Sequence, residues 1–306
     1  MRFLKKTNID FMSSRRIWYI VSTLVILAGI FSLAVRGFDL GIDFLGGTEL
    51  VAGFSQPVPV GDVRGALERA GIPRAEISTY GSDRNILIRA PEMTTVEGRS
   101  VGSLLRSGLS AAFPNNPYTI LSEAKIGPKI GAELRRDALY AVIASLIAIS
   151  LYIGLRFKFA YGVGAIVSLF HDVLVVLAFV SIFDGVLNLQ IDQNMIAAFL
   201  TLVGTSINDT VVIFDRIREN QRIFRAMPLK DLMNKSINET LSRTIITNGS
   251  IFLVLLVILI FGGEVLRGFA FALVVGSVTG TYSTVYIASS VVLEMAQRTR
   301  AKTVMA

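Results

Sequence analysis

Apolar residues crowd into six stretches of the chain, at 17–35, 138–155, 160–183, 194–214, 245–261 and 269–293. Each is close to the roughly 17–25 residues that a helix needs to cross a bilayer, so the pattern predicts six transmembrane helices. Between the first two, residues 37–136 change character. Short runs at 49–54, 76–80, 85–89 and 118–125 read as strands, the middle two joined as a hairpin about Gly81-Ser82-Asp83. Residues 60–70, bounded by Pro59 and Gly71, and 96–113, stopped by Pro114, read as helices. The order βαββαβ predicts a small ferredoxin-like α+β sandwich.

Composition agrees. The 306 residues are 52% hydrophobic and only 17% charged, against about a quarter charged in a soluble domain. The net charge of +7 suggests a nucleic-acid binder until its placement is considered. Acids and bases nearly cancel across residues 37–132, and the excess base sits beside the apolar runs. It falls at Arg2, Lys5, Lys6, Arg15 and Arg16, at Arg156 and Lys158, at Arg216, Arg218, Arg222, Arg225 and Lys230, and at Arg298, Arg300 and Lys302. That is the positive-inside footprint, which places both termini in the cytoplasm and residues 37–136 outside. Nucleic-acid binding is set aside on this ground.

The division expected is a cytoplasmic segment at 1–16, a first span at 17–35, an exported α+β domain with linkers at 36–137, a bundle of spans two to six at 138–293 and a cytoplasmic tail at 294–306. The first span competes with a signal-peptide reading, since Arg15-Arg16 precede it and Ser32-Leu33-Ala34 resembles a cleavage site. Its apolar run exceeds the usual 7–15 or so residues of a signal core, which favours an uncleaved anchor. The basic loop 216–243 carries Leu229, Leu232, Met233, Ile237 and Leu241 at helical spacing after Pro228. It reads as an amphipathic helix in the cytoplasmic interface, a pattern that docking to a partner would also give. With no cysteine and the single His171, disulfides and Cys-based metal sites are excluded and a His-cluster metal site is disfavoured.

Ionisable groups inside spans cost about 2.5–3.5 kcal/mol at the centre on the gentlest scale, so each needs a reason. Span four carries Thr201, Thr205, Asn208 and Asp209 on what the i, i+4 rule makes one face. Asp209 lies about 9 Å inside Asp215, within the cytoplasmic half of the hydrocarbon. Span five returns with Arg243, Thr244, Thr247, Asn248 and Ser250, so an antiparallel neighbour is expected to bring Arg243 to Asp209. His171 and Asp172 lie near the middle of span three. Hydroxyls and amides in spans mostly glue helices together, at around 0.6 kcal/mol each. An acid is harder to keep and marks proton relays, so Asp209 is the leading candidate for ion coupling. His171-Asp172 fits a titrating group or a static hydrogen-bonded pair, and Asp215 an interfacial ion pair beside Arg216 and Arg218. Small residues at Gly276-x-x-x-Gly280 and at Gly162, Gly164 and Ser168 indicate close helix packing.

Several motifs add a resemblance. Residues 41–47, Gly-Ile-Asp-Phe-Leu-Gly-Gly, resemble the G-I-D-F-x-G-G signature of the SecD/SecF family, with Gly41, Asp43, Gly46 and Gly47 as its fixed positions. Residues 203–220, VGTSINDTVVIFDRIREN, resemble the fourth span of the SecF branch, whose Asn-Asp pair stands where SecD typically reads D-A-N. Gly127-Pro-Lys-Ile-Gly131 and Ser242-Arg-Thr244 are similar to SecF as well. The resemblance implies a six-span half of an RND-type bundle, a SecD chain as heterodimer partner, and work beside the SecYEG channel, often with YajC, on exported polypeptide. It implies coupling to protons, or sodium in some members, no other cofactor, and an ion pathway through Asp209 and Arg243 with Asn208 beside them. His171, Asp172, Thr205, Thr247 and Asn248 form a second tier.

Two rivals stand beside this reading. A small-molecule RND-like exporter calls for a second large external loop after a seventh span, and only the first is present. A passive scaffold for the translocase would use the polar face for packing. The sequence offers no nucleophile–base pattern, phosphate loop or metal constellation, which argues against an enzyme.

Overall fold

A computed structural model describes residues 7–73, 75–92, 100–187 and 189–305, with side chains for all of these except 264 and 299–305. Arg2, Lys5 and Lys6 therefore lie outside the described residues, as do the side chains of Arg300 and Lys302. Six helices are long and apolar enough to cross a membrane. They are α1 (Arg15–Arg36), α5 (Pro128–Arg156), α6 (Phe159–Leu187), α7 (Gln193–Ile223), α8 (Leu229–Phe261) and a last span made of α9 (Gly263–Ser283), a π-helical turn (Thr284–Ala288) and α10 (Ser289–Met305). The chain is a multi-pass membrane protein.

Local chemistry sets the boundaries. Gly37, at φ 78°, closes α1 by donating its N–H to Leu33, a backbone state that disfavours any side chain. Pro128 opens α5 where its missing N–H costs nothing. Asp192 caps α7 by accepting from the Met195 N–H at 2.8 Å.

Between α1 and α5 lies the α+β domain: α2 (Ile42–Leu45), β1 (Gly47–Phe54), α3 (Val60–Arg69), β2 (Glu76–Tyr80), β3 (Ser82–Pro91), α4 (Val101–Ala112) and β4 (Tyr118–Ile126). The four-stranded sheet is antiparallel in the order β2-β3-β1-β4, the ferredoxin-like arrangement that the βαββαβ sequence predicts. Leu50, Ala52, Ile86 and Ile88 project from one face against Val63 and Leu67 of α3 and Leu105 and Leu109 of α4. The expected strand 85–89 is the middle of a longer β3, because Tyr80 pairs directly with Ser82 about Gly81. The expected helix 96–113 begins at Val101, where Ser100 accepts from the Ser103 N–H; its positions 96–99 lie outside the described residues.

The bundle has an inner and an outer set. In α6, α7 and the last span 39–44% of the most apolar window is buried, against 6–11% in α1, α5 and α8, which turn apolar side chains outward. Helix α1 leans on α6, with Gly29 packed directly on Ala178 and Ser181 donating to the Ser32 hydroxyl at 3.0 Å.

The loop expected at 216–243 takes a different form. Helix α7 continues to Ile223 and α8 starts at Leu229, so the amphipathic stretch is the projecting end of a helical hairpin. Its apolar face is covered by the chain itself: Leu232, Met233 and Ile237 pack with Ile213, Phe214 and Ile217 of α7 and with Phe11 and Met12. A periodicity that suits a membrane surface suits a protein surface equally, and here the protein supplies it.

Candidate ion-coupling site within the helical bundle

Helix α7 presents two faces. Leu202, Val203, Ser206, Asp209, Thr210 and Ile213 point inward, whereas Thr201, Thr205 and Asn208 point outward. The single polar face expected at 201–209 is thus split, because about 100° separates Asn208 from Asp209 and the burial boundary runs between them. Thr205 donates to the Thr201 carbonyl of its own helix at 3.1 Å and takes no part in the interior.

Asp209 is 6% exposed. Its carboxylate accepts from Asn248 of α8, and the same amide donates to the Thr281 hydroxyl of α9 at 2.6 Å. The site therefore joins three helices through a neutral amide. Arg243 does not fill the place expected for it. It lies five residues before Asn248, about 7.5 Å along the axis, and makes no ion pair with Asp209, though it is near enough for its charge to act on that carboxylate. It is exposed and lines, with Thr247, a cleft of about 1680 Å³ at the end of the bundle away from the α+β domain. Asp215, Arg216 and Glu219 of α7, Asn238, Glu239 and Ser242 of α8 and residues 7–10 are among the other residues of its lining. Asp215 is bound by Arg156 of α5 at 2.9 Å, whereas the neighbouring Arg216 pairs with Glu239 and Glu219 at 2.7 Å each.

A second cluster lies deeper. Asp172 is fully buried and accepts from Ser206 of α7, and from Ser283 at 2.9 Å. His171 Nδ1 meets its other oxygen at 2.9 Å. The far nitrogen of His171 faces Ser22 of α1 at 2.9 Å and the Tyr282 hydroxyl at 3.1 Å. Four helices thus meet on one His–Asp pair. Thr210, next to Asp209, lies 3.0 Å from Thr284 at the start of the π turn. Trp18 of α1 stacks on both Tyr282 and Tyr286, with centroids at 5.2 and 4.8 Å.

The small residues make these approaches possible. Gly280 faces Ser206 and Gly276 faces Leu202, so the GxxxG pair seats α9 on α7. On α6, Gly164 meets the Ala288 carbonyl and Ser168 donates to Ser283 at 3.1 Å. Sequence reasoning passed over Ser22, Tyr282, Ser283 and Thr284. For the last three, the polar run from Ser277 to Thr284 inside an apolar span was the available signal.

A family model described as "Protein export membrane protein SecD/SecF, C-terminal" matches residues 109–298, and one described as "SecD/SecF GG Motif" matches residues 31–58. The chain belongs to the SecD/SecF family. It is 43% identical to the protein translocase subunit SecF of Rhodothermus marinus, over 99% of this chain and 98% of that protein. It is 42% identical to SecF of Thermodesulfovibrio yellowstonii, over 96% of each. Among solved structures it resembles SecDF, a translocon-associated membrane protein from Thermus thermophilus, with a TM-score of 0.80 and 37% identity over 95% of this chain. The chain spans 39% of that SecDF chain. A SecDF structure in a super-membrane-facing form gives a TM-score of 0.74 at 36% identity, over 99% of this chain and 41% of that one.

Proposed function

We propose that this chain is the SecF subunit of a SecDF complex in the cytoplasmic membrane of a bacterium, with both termini cytoplasmic, and that Asp209 couples an ion gradient to protein export. The observation that carries the coupling is the bonding of Asp209: a buried acid in an inner helix, hydrogen-bonded to a neutral amide and, among the described residues, in no ion pair. An ionised carboxylate accepts a hydrogen bond roughly twice as strong as a neutral group does. Protonation, or a sodium ion in its place, weakens the grip on Asn248, which is then free to turn wholly to Thr281. Helices α7, α8 and α9 repack in response. The cleft lined by Arg243 and Thr247 is the natural aqueous approach from the cytoplasm, with Arg243 setting a positive field at its head rather than a fixed ion pair.

The magnitude suffices. One charge crossing 100 mV carries about 2.3 kcal/mol, which shifts a two-state equilibrium by about 50-fold. The family supplies the rest of the reading: a SecD chain as partner, SecYEG and YajC beside it, and exported polypeptide as what is moved or released.

The test is Asp209→Asn in cells, with export, ion conductance, protein level and SecD association read together. Loss of export and conductance with an intact complex is the expected result. Normal export and conductance would overturn the coupling and leave a scaffold for the translocase, in which Asp209 merely packs.

A further inference from the structure

The signature at residues 41–47 has no part in the bundle, yet it touches three elements at once. Just before it, the Ile191 N–H donates to the Asp39 carbonyl at 2.8 Å, and the Gly41 N–H returns a bond to the Ile191 carbonyl at 3.0 Å. This is a parallel bridge between Leu40 and Ile191. Gly41 is held so close that a Cβ would lie 3.1 Å from that of Asp192, the cap of α7. Asp43 then accepts from the Gln193 N–H at 3.1 Å. Two carboxylates thus serve the first turn of α7, where free N–H groups and the helix dipole both favour negative charge.

The other half of the signature is fixed to the α+β domain. Gly46, at φ 79°, approaches Pro128 at the start of α5 so closely that a Cβ would lie 2.9 Å away. Its carbonyl accepts from the Glu92 N–H at 3.1 Å. Gly47 opens the central strand β1, where a Cβ would come within 2.5 Å of the Ala90 carbonyl. Seven residues therefore join the end of α7 to the middle of the sheet. Helix α7 is a rigid rod, and from Gln193 to Asp209 it measures about 24 Å.

We propose that Asp43 is a positioning residue that fastens the end of α7 to the α+β domain, so that displacement of α7 at Asp209 is delivered to strand β1. The inference rests on the ion-coupling reading of Asp209. In a covalent sense the domain hangs from α1 and α5, neither of which carries Asp209. The Asp43 clasp is the direct route from the ion-carrying helix. An acid suits the place because its bond to the helix terminus is charge-assisted, and Asn keeps the acceptor without the charge.

The experiment uses the complex with its SecD partner, in cells for export and in vesicles for proton flux, with sodium flux in a parallel run. Asp43→Ala is expected to lower export at least fivefold while flux stays within twofold of wild type, and Asp43→Asn to retain most of the export. Unchanged export in Asp43→Ala, or export and flux falling by the same factor at equal complex level, overturns the proposal. Because the chain has no cysteine, Leu40→Cys with Ile191→Cys closes the same clasp covalently. In the Asp43→Ala background this pair restores export; complete cross-linking without restored export also overturns it. Failure of the coupling reading is read separately, as normal flux in Asp209→Asn.

Discussion

Replacing Asp172 tests the deeper cluster most directly. Asp172→Ala removes one acceptor from three buried donors, those of Ser206, Ser283 and His171. The two serines have fallbacks. Ser283 already lies 3.3 Å from the Gly280 carbonyl, and Ser206 can turn back to its own helix. His171 has none on that side. Hydrogen bonds between membrane helices average about 0.6 kcal/mol, which for the two serines gives a floor of about 1 kcal/mol. A stranded buried donor costs about 1–3 kcal/mol, which raises the total to about 2–4 kcal/mol. Asp172→Asn is different. Its oxygen still accepts from both serines, and its amide faces His171, whose ring then takes the proton on Nε2 and donates it to Ser22 or Tyr282. That rearrangement costs about 1 kcal/mol or less, the worth of one neutral hydrogen bond. The assay is unfolding of the detergent-purified complex in increasing denaturant, read by the Trp18 signal. Asp172→Ala is expected to lower the folded-to-unfolded ratio by at least about 30-fold, and Asp172→Asn by less than tenfold. Equal losses would refute the tautomer argument and make the charge itself the stabilising feature.

Two further predictions concern packing and pH. Gly164→Val places carbon within 2.8 Å of the Ala288 carbonyl and of Val292, so it is expected to cost about 1–3 kcal/mol by overpacking, read as a lower melting temperature of the complex. Hydrogen bonds from Ser13 and Asn234 hold the carboxyl of Asp10 down to about 2 from 3.8. Because the folded value lies below the unfolded one, the docking of residues 9–13 on α8 is at full strength above about pH 4 and is lost as pH falls towards 2. Amide exchange at Met12 and Ser13 across that range checks it, and Asp10→Asn should flatten the response.

The number of spans, the α+β order and the presence of a buried acid were all legible in the sequence, because each is a one-dimensional signal. A bilayer demands long apolar runs, strands and helices have their own periods, and an acid inside a span stands out against its neighbours. The pairing of those groups was not legible. Helical spacing put Thr201, Thr205, Asn208 and Asp209 together, yet the packing of α9 on α7 through Gly276 and Gly280 buries Asp209 and leaves the other three outside. The antiparallel run of span five was correctly anticipated, but a shift of about 7.5 Å along α8 decides whether Asp209 meets Arg243 or Asn248. The same limit applied at residues 216–243, where the amphipathic pattern was real and its cover was the chain itself. Sequence determined which groups must avoid lipid; only the tertiary structure decided what each one meets, because helix depth and rotation are set by contacts between segments far apart in the chain.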